Sequence, residues 1–500
     1  MSGIRVTYTG FIAFGGRILS VFTGLAFTLI VTRQLNIEEF GTWGLINGVI
    51  IYALVIHPII SYWSTRETAR GETTGKTAII STGFFSGIGI TIYLIIGYIV
   101  GMQSNVDVNI ILLATILVPV IFINEGLNAI IFGFKPHVRS FGFITFEIVK
   151  IPAALLLIYH FQFGVEGAII SSFISYLASI ILLFVYAKEK IKNQFSVEPI
   201  KKWIKLSWVP IYRKMPGLLS QSDVVVFSVI TGSVIGIAYY SAARTIGFLV
   251  NHSRTIGSGV YPKLLEGGHE KILQNNLNQF FFVAMPIMGT SIVFAKPGLF
   301  ALNPIYEIGV PIVIFLTLRQ FLTSINSLLF SALQGIEKVD IKKDSNYKDY
   351  VKSKLVLFPT FQMIRHGVYI GSLIIIFAII GIDEAEINLV IYWAIIGLLV
   401  EIPLTVYIIN LTKKSFSLKI NLLSISKYLI TTIIIFGLIF VLMDEFLVYE
   451  NNIFKFLPIL FMYMITGILS YLGVNYIIDK NTKSLVKAIF KELRGMKNGK

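Results

Sequence analysis

The residues with the clearest potential for chemistry are charged side chains that interrupt apolar stretches. Six cations hold such positions: Arg17, Lys150, Arg244, Arg254, Arg319 and Arg365. A charge at bilayer depth is costly, so it usually faces a partner, water or a ligand. The guanidinium group stays ionised and donates paired hydrogen bonds, which suits phosphate. The arginines therefore indicate either buried ion pairs or a site for an anionic ligand.

Three of these arginines, Arg17, Arg244 and Arg254, favour the ligand interpretation. Arg17 lies near the middle of the first apolar stretch, whereas Arg244 and Arg254 lie on the eighth. In a continuous α-helix the last two are about 15 Å apart along the axis and about 80° apart around it, so both border one wide cavity. Because nearby acids are too few to neutralise all three, we expect a solvent-accessible cavity that binds a diphosphate.

Two buried acids, Asp223 and Glu125, are candidates for charge pairing or for coupling to an ion. Asp223 lies at a depth similar to that of Arg244 on the preceding apolar stretch, which favours a pair between them. Glu147 and Lys150 are three residues apart on one helix and can pair directly. Glu125 lies at a comparable depth, and we interpret these three as a neutralised buried cluster. Either Asp223 or Glu125 is also an alternative carrier of a coupling cation.

Composition indicates the protein class that holds these charges. The chain has 500 residues, is 55% hydrophobic and has a mean hydropathy of +0.78. A membrane-spanning helix needs roughly 20 apolar residues. The sequence predicts an all-α integral membrane protein with about 14 such stretches and no sizeable soluble domain, at about 8–31, 42–63, 78–102, 108–132, 142–161, 164–187, 207–231, 237–259, 276–299, 308–333, 358–381, 388–411, 425–443 and 454–478.

The cations outside these stretches predict the topology. If the N-terminus is inside, only Arg33, Lys296 and Lys455 fall in outer connections, and the remaining loop cations are all inside. This asymmetry follows the positive-inside rule and predicts a multi-pass cell-membrane protein with both termini cytoplasmic. The net charge of +15 then reflects attraction to anionic membrane lipids rather than to nucleic acid.

Signals for an enzyme or a cofactor are weak. The chain has no cysteine, and its six histidines show no metal-binding spacing. The stretch 71–77 resembles a phosphate loop but has Arg70 in place of the first glycine, and no strand precedes it. We therefore expect no metal, no cofactor and no ATP site, and predict that the protein is not an enzyme.

The chain divides at the basic segment 188–206, with six apolar stretches before it and eight after it. A similar turn opens a helix in each half, Gly41-Thr42-Trp43-Gly44 in the first and Gly236-Ile237-Ala238-Tyr239-Tyr240 in the second. Transporters are often built from two such repeats that move against each other around a central site.

Three sequence blocks resemble the polysaccharide-exporter (Wzx-type) flippases of the MOP superfamily. Residues 35–44, Leu-Asn-Ile-Glu-Glu-Phe-Gly-Thr-Trp-Gly, are similar to that family's L-G-x-x-E-[FY]-G-x-[YW] turn, with Asn36 where glycine is usual. The second block is Asp223 followed by 236–244, and the third is Tyr-Pro-Lys-Leu at 261–264. The number of apolar stretches and the basic inner connections also agree with this family, so the resemblance extends over nearly the whole chain.

This resemblance implies two six-helix lobes, 1–190 and 191–415, around a central cationic cavity. It further implies two extra transmembrane helices at 416–480 and a basic cytoplasmic tail at 481–500. Arg17, Arg244 and Arg254 would face the cavity and bind the diphosphate. The implied activity is movement of a lipid-linked oligosaccharide from the inner to the outer leaflet by alternating access, beside glycan-assembly enzymes.

Other functions make different predictions from the same residues. A MATE-like antiporter of small cations would have an acid-lined cavity and usually 12 spans. A polysaccharide polymerase or ligase would carry catalytic residues on a long outer loop, whereas the longest outer link here, near 444–454, has about ten residues. A flippase of a cell-wall lipid precursor would need the same cationic cavity, so this function remains an alternative.

Overall fold

A computed structural model of the chain describes residues 22–192, 194–259, 264, 270–337, 353–380, 384–416 and 421–483. Over these ranges the chain consists of helices and their connections, without a β-strand. Arg17, three residues of the Tyr-Pro-Lys-Leu stretch and most of the predicted basic tail lie outside the described residues.

The long apolar helices follow the predicted stretches closely. Helices Lys271–Val293 and Ala295–Leu302 are bent by 62° at their break and add one candidate span when counted together. With the helical residues 22–34 and the shorter helices within 208–259, these elements confirm an all-α membrane protein of about 14 helices. Among the described residues, ten helices are long and apolar enough to cross a membrane: Ile37–Ile56, Gly75–Gln103, Val108–Phe134, Pro136–His160, Gly164–Ile191, Pro304–Gly335, Val356–Ile380, Glu386–Ser415, Leu422–Phe446 and Ile453–Ile478.

The predicted continuous α-helix over 237–259 is wrong. The α-helix Ile235–Gly247 carries Arg244, and the chain then tightens into a 3₁₀-helix, Phe248–Gly259, that carries Arg254. The tightened segment is rich in weak helix formers, and the Ser253 hydroxyl donates back to the Val250 carbonyl at 2.7 Å. Seven 3₁₀ residues move Arg254 to about 19 Å along the axis and about 60° around it from Arg244.

The predicted stretch 207–231 is also interrupted. Helix Trp208–Ser220 ends at Gln221, where φ is −112° and ψ is 4°, and helix Ser222–Thr231 follows. Pro216 removes a backbone donor from the first of these helices. The break places Asp223 in the first turn of the second helix rather than in the middle of a long one.

The two similar turns lie against each other. Asn36 caps helix Ile37–Ala53, because its side chain accepts from the Glu39 amide at 2.8 Å while the Glu39 carboxylate accepts from the Asn36 amide at 2.9 Å. Gly41 packs so closely that an added Cβ would lie 2.1 Å from the Val234 carbonyl oxygen. The asparagine that departs from the family pattern is therefore a helix cap, and the glycine allows close contact between the turns.

The described residues form two compact units. The first contains residues up to Ser241 together with His366–Leu389, and the second contains Ala242–Arg365 together with the residues from Val390 onward. The division into lobes at 190 and 415, expected from the family resemblance, stays a prediction.

Each unit has its own apolar core. In the first unit, Leu127, Val138 and Leu183 join three consecutive long helices. In the second unit, the last two long helices pack on helix Glu270–Val293 through aromatic side chains, and the buried Tyr471 hydroxyl donates to the Phe282 carbonyl at 2.9 Å.

Candidate functional site

The first unit contains a cavity of about 470 Å³ with four cations in its wall. Its walls come from helices Pro58–Ala69, Leu117–Phe134, Pro136–Ala154 and Trp208–Ser220. Because these helices contribute residues near 66, 132 and 139, the cavity lies at the end where the basic connections are. We call it the cationic cavity and define it by four side chains: Arg66, Arg139, Arg213 and Lys214.

Aromatic rings support the arginines without neutralising them. Arg66 and Arg213 place their guanidinium carbons 5.6 Å and 5.8 Å from the centre of the Tyr62 ring. Arg66 also donates to the Tyr62 hydroxyl oxygen at 3.2 Å, and Arg139 lies 5.3 Å from the centre of the Phe132 ring. A ring face attracts a cation but carries no net charge. The guanidinium groups are therefore held in place while keeping their charge for a ligand.

Helix Leu117–Phe134 adds hydrogen-bond acceptors to the wall of the cationic cavity. Glu125 and Asn128 lie three residues apart on one helix, so both face the cavity. The charges of Arg139 and Lys214 act on Glu125, but the ion pairs within the described residues do not include it. The buried side-chain amide oxygen of Asn128, Oδ1, has no hydrogen-bond partner. The cavity thus combines several cationic donors with two acceptors.

Three hydrogen bonds fix the helix that carries Arg66. The Thr65 hydroxyl donates to the Ala129 carbonyl at 2.9 Å and ties this helix to the next wall. On its other side, Glu67 accepts from the Trp203 indole at 3.1 Å and from Lys202 at 3.2 Å. Glu67 is 2% exposed, so the short linker helix Glu198–Lys205 is anchored by a buried carboxylate just before the helix with Arg213 and Lys214 begins.

The predicted diphosphate ligands are only partly described. Arg17 lies outside the described residues. In the second unit, Arg244 is half-buried with its guanidinium carbon 4.6 Å from the centre of the Phe248 ring, and Arg254 donates to the Ser324 hydroxyl at 3.3 Å. The role of these arginines in ligand binding stays a prediction.

A buried polar network lies next to Arg254. Arg365 donates to both oxygens of Glu401, at 2.8 Å and 2.7 Å, and Asn326 donates to the same carboxylate at 2.7 Å. The charges of Glu401 and Arg365 both act on Arg254. Because Arg365 already neutralises Glu401, the three groups Arg254, Arg365 and Glu401 together carry one more positive charge than negative.

Glu147 and Lys150 do not form a direct ion pair, although the Glu147 charge acts on Lys150. Within the described residues no ion pair joins them. Instead, the Lys150 ammonium nitrogen lies 4.0 Å from the centre of the Phe27 ring, and the Glu147 carboxylate accepts from the Thr23 hydroxyl at 2.9 Å. Side chains from residues 22–34 therefore contact both Glu147 and Lys150, and Phe146 on the same helix as Lys150 adds a second ring 5.3 Å from its nitrogen.

Asp223 is buried among tyrosines of the first unit. It is 4% exposed and accepts from the Tyr369 hydroxyl at 2.8 Å and from the Tyr240 hydroxyl at 3.5 Å. Its predicted pair with Arg244 and its role in ion coupling stay predictions.

Sequence reasoning missed the cationic cavity as a site. As inner cations, Arg66 and Arg139 need no ligand, and Arg213 and Lys214 near the start of an apolar stretch are typical of side chains that extend toward the inner lipid head groups. One signal was available, since Tyr62 and Arg66 are four residues apart, a spacing at which side chains meet on a helix.

Comparisons with known proteins bear on the fold. No protein-family model matches the sequence, and no curated protein matches it either. A solved lipid II flippase, MurJ, in an inward closed conformation, matches with a TM-score of 0.65 and 17% identity, over 96% of this chain and 100% of that one. An inward-facing multidrug resistance MATE family transporter of the MOP superfamily matches with a TM-score of 0.56 and 15% identity, over 79% of this chain and 95% of that one. The chain therefore has the fold that this lipid II flippase and this MATE transporter share.

Proposed function

We propose that the protein is a flippase that moves a lipid-linked oligosaccharide, joined through an isoprenoid diphosphate, from the inner to the outer leaflet by alternating access. The observation that carries this proposal is the cationic cavity, with four cations and one acid in its wall. In the predicted topology, the end of the helices that holds the cationic cavity faces the cytoplasm, where the lipid-linked sugar is assembled.

The chemistry of the cavity suits a sugar diphosphate. Guanidinium groups donate paired, charge-assisted hydrogen bonds to phosphate oxygens. Glu125 and Asn128 would accept hydrogen bonds from sugar hydroxyls next to the phosphates. A volume of about 470 Å³ accommodates the diphosphate and the adjoining sugar, while the lipid tail stays in the bilayer. Arg17, Arg244 and Arg254 would hold the diphosphate later in the transport cycle.

The charge of the cavity argues against the main alternative. The MATE transporter with the same fold supports an antiporter of organic cations equally well at the level of fold. A wall with four cations repels such a cargo and attracts an anion. The lipid II flippase similarity is compatible with either an oligosaccharide or a cell-wall precursor as the sugar part.

The driving force would be an ion gradient or the substrate gradient, since no nucleotide site is expected. Asp223 or Glu125 would carry the coupling ion. We further propose that the protein lies in the cell membrane with both termini cytoplasmic.

The test uses purified protein in liposomes with a short-chain prenyl diphosphate that carries a fluorescent disaccharide. We expect Arg66→Ala and Arg213→Ala each to slow flipping by about tenfold to hundredfold, because a hydrogen bond to a charged group contributes about 1.5–3 kcal/mol. Arg70→Ala is the matched control, since Arg70 is exposed and is not part of the cavity wall. Flipping at the wild-type rate in both cavity variants, at equal protein amounts, would rule the cavity out of transport.

A further inference from the structure

A second cavity lies in the first unit, at the opposite end of the helices from the cationic cavity. Its volume is about 390 Å³. Its wall comes from the start of helix Ile37–Ala53, the connection at 104–107 and the turn at 232–235. Three carboxylates line it, and the lining contains no lysine, arginine or histidine. We call it the acidic pocket and define its charge by these side chains: Glu38, Glu39 and Asp107.

A buried hydroxyl in the pocket wall has no partner. Ser104 is 2% exposed, and its side-chain oxygen makes no hydrogen bond within the described residues. Buried polar groups are almost always hydrogen-bonded, so an unpartnered hydroxyl in a cavity wall is available to a bound ligand. Because Ser104 lines the acidic pocket, that ligand would lie in the pocket.

The walls of the pocket are fixed in position. Asn105 has a positive φ of 54° and donates to the Gly232 carbonyl at 3.4 Å, which ties two of the turns together. The Glu39 carboxylate accepts from the backbone N–H of Asn36, and the Asp107 carboxylate accepts from the backbone N–H of Asn109, both at 2.9 Å. The Glu39 and Asp107 carboxylates are therefore each oriented by one backbone donor and keep further acceptor capacity.

Size and donor set favour an organic ligand over a metal ion. Within the described part of the chain, no three acids or histidines lie close enough together to hold a metal ion. A volume of about 390 Å³ is in the range of small-molecule sites and far exceeds a bare ion. Val106, Ile110 and Val165 add an apolar surface suited to a carbon skeleton.

We infer that the acidic pocket binds a small organic ammonium ion that carries hydroxyl groups, of the amino-sugar class. The negative charge of the three carboxylates would attract the ammonium group, and Ser104 would hydrogen-bond to a ligand hydroxyl. The ligand would also bridge helix Ile37–Ala53 and the turn at 232–235. This inference is independent of the flippase proposal.

The experiment is a calorimetric titration of the purified full-length protein with glucosamine, with glucose as the neutral probe of the same shape and calcium chloride as the metal probe. We expect glucosamine to bind at least tenfold more tightly than glucose. Asp107→Asn should weaken glucosamine binding at least tenfold, and Ser104→Ala about threefold to tenfold. Asparagine is as good a helix cap as aspartate, so Asp107→Asn keeps the fold.

Asp444→Asn is the matched control, because Asp444 lies at the same predicted membrane face but outside the pocket. It should bind glucosamine as the wild type does. Equal binding of glucose and glucosamine, tighter binding of calcium, or unchanged glucosamine binding by Asp107→Asn would each overturn the inference. Binding of pyrophosphate should be the same in Asp107→Asn and wild type, which separates this site from the cationic cavity.

Discussion

Tyr62 is the residue through which the cationic cavity can be tested without changing its charge. Its ring lies 5.6 Å from the Arg66 guanidinium carbon and 5.8 Å from that of Arg213, and its hydroxyl accepts from Arg66 at 3.2 Å. Two cation–π contacts of about 0.5–1 kcal/mol each and one hydrogen bond of about 1 kcal/mol sum to about 2–3 kcal/mol. Tyr62→Ala should therefore weaken anion binding roughly thirtyfold to hundredfold, since 1.4 kcal/mol is about tenfold.

Tyr62→Phe keeps the ring and loses only the hydrogen bond, so we expect roughly fivefold weaker binding. The assay is isothermal titration of the purified protein with inorganic pyrophosphate at low and high salt. Tyr98→Ala provides the matched control, because Tyr98 is 51% exposed on another span and should leave the affinity unchanged. Wild-type affinity in Tyr62→Ala, or an equal loss in Tyr62→Phe and Tyr62→Ala, would refute the view that the ring holds the two arginines.

Three further predictions concern the rest of the molecule. Arg365→Met should destabilise the fold by about 3–5 kcal/mol because it leaves the buried Glu401 charge unpaired, and the double variant with Glu401→Gln should recover much of that loss in thermal unfolding. Gly41→Ala should lower the melting temperature, since its Cβ would lie 2.1 Å from the Val234 carbonyl oxygen; an unchanged melting temperature would disprove that close contact. Burial alone would raise the pKa of Asp479, but hydrogen bonds from neighbouring hydroxyl groups and a backbone amide outweigh it and lower that pKa. The Asp479 carboxylate therefore stabilises the fold above its unfolded-state pKa of about 4, and this stabilisation is lost as pH falls through its folded-state pKa. Asp479→Asn should remove this pH dependence in urea unfolding at pH 2–7.

The spans were predictable because length and hydropathy alone decide whether a helix can cross a membrane. Helix Gly164–Ile191, for example, lies where the apolar stretch 164–187 predicted it. The change to a 3₁₀-helix after Gly247 was not predictable. An added Cβ at Gly247 would lie 2.9 Å from the Leu316 Cβ. Close packing against a helix that is distant in sequence therefore occurs at the residue where the α-helix changes to a 3₁₀-helix.

The candidate site was predictable only in its chemistry. Excess arginine in an apolar chain predicted a cationic site, but the arginines that line the cationic cavity are not Arg17, Arg244 or Arg254. Arg66 and Arg139 were hidden because the positive-inside rule explains any inner cation without a ligand. Four cations on three separate helices become a site only through packing, such as the Thr65–Ala129 hydrogen bond, which spacing along the chain does not reveal.

The central claim is that the protein recognises its cargo by the diphosphate, and changing the cargo tests it most directly. Two fluorescent lipids with the same prenyl chain and disaccharide would be compared in liposomes that contain the wild-type protein, one with a diphosphate linkage and one with an uncharged linkage. We predict protein-dependent flipping of the diphosphate lipid and at least tenfold slower flipping of the uncharged one. Equal rates for the two lipids would contradict the account.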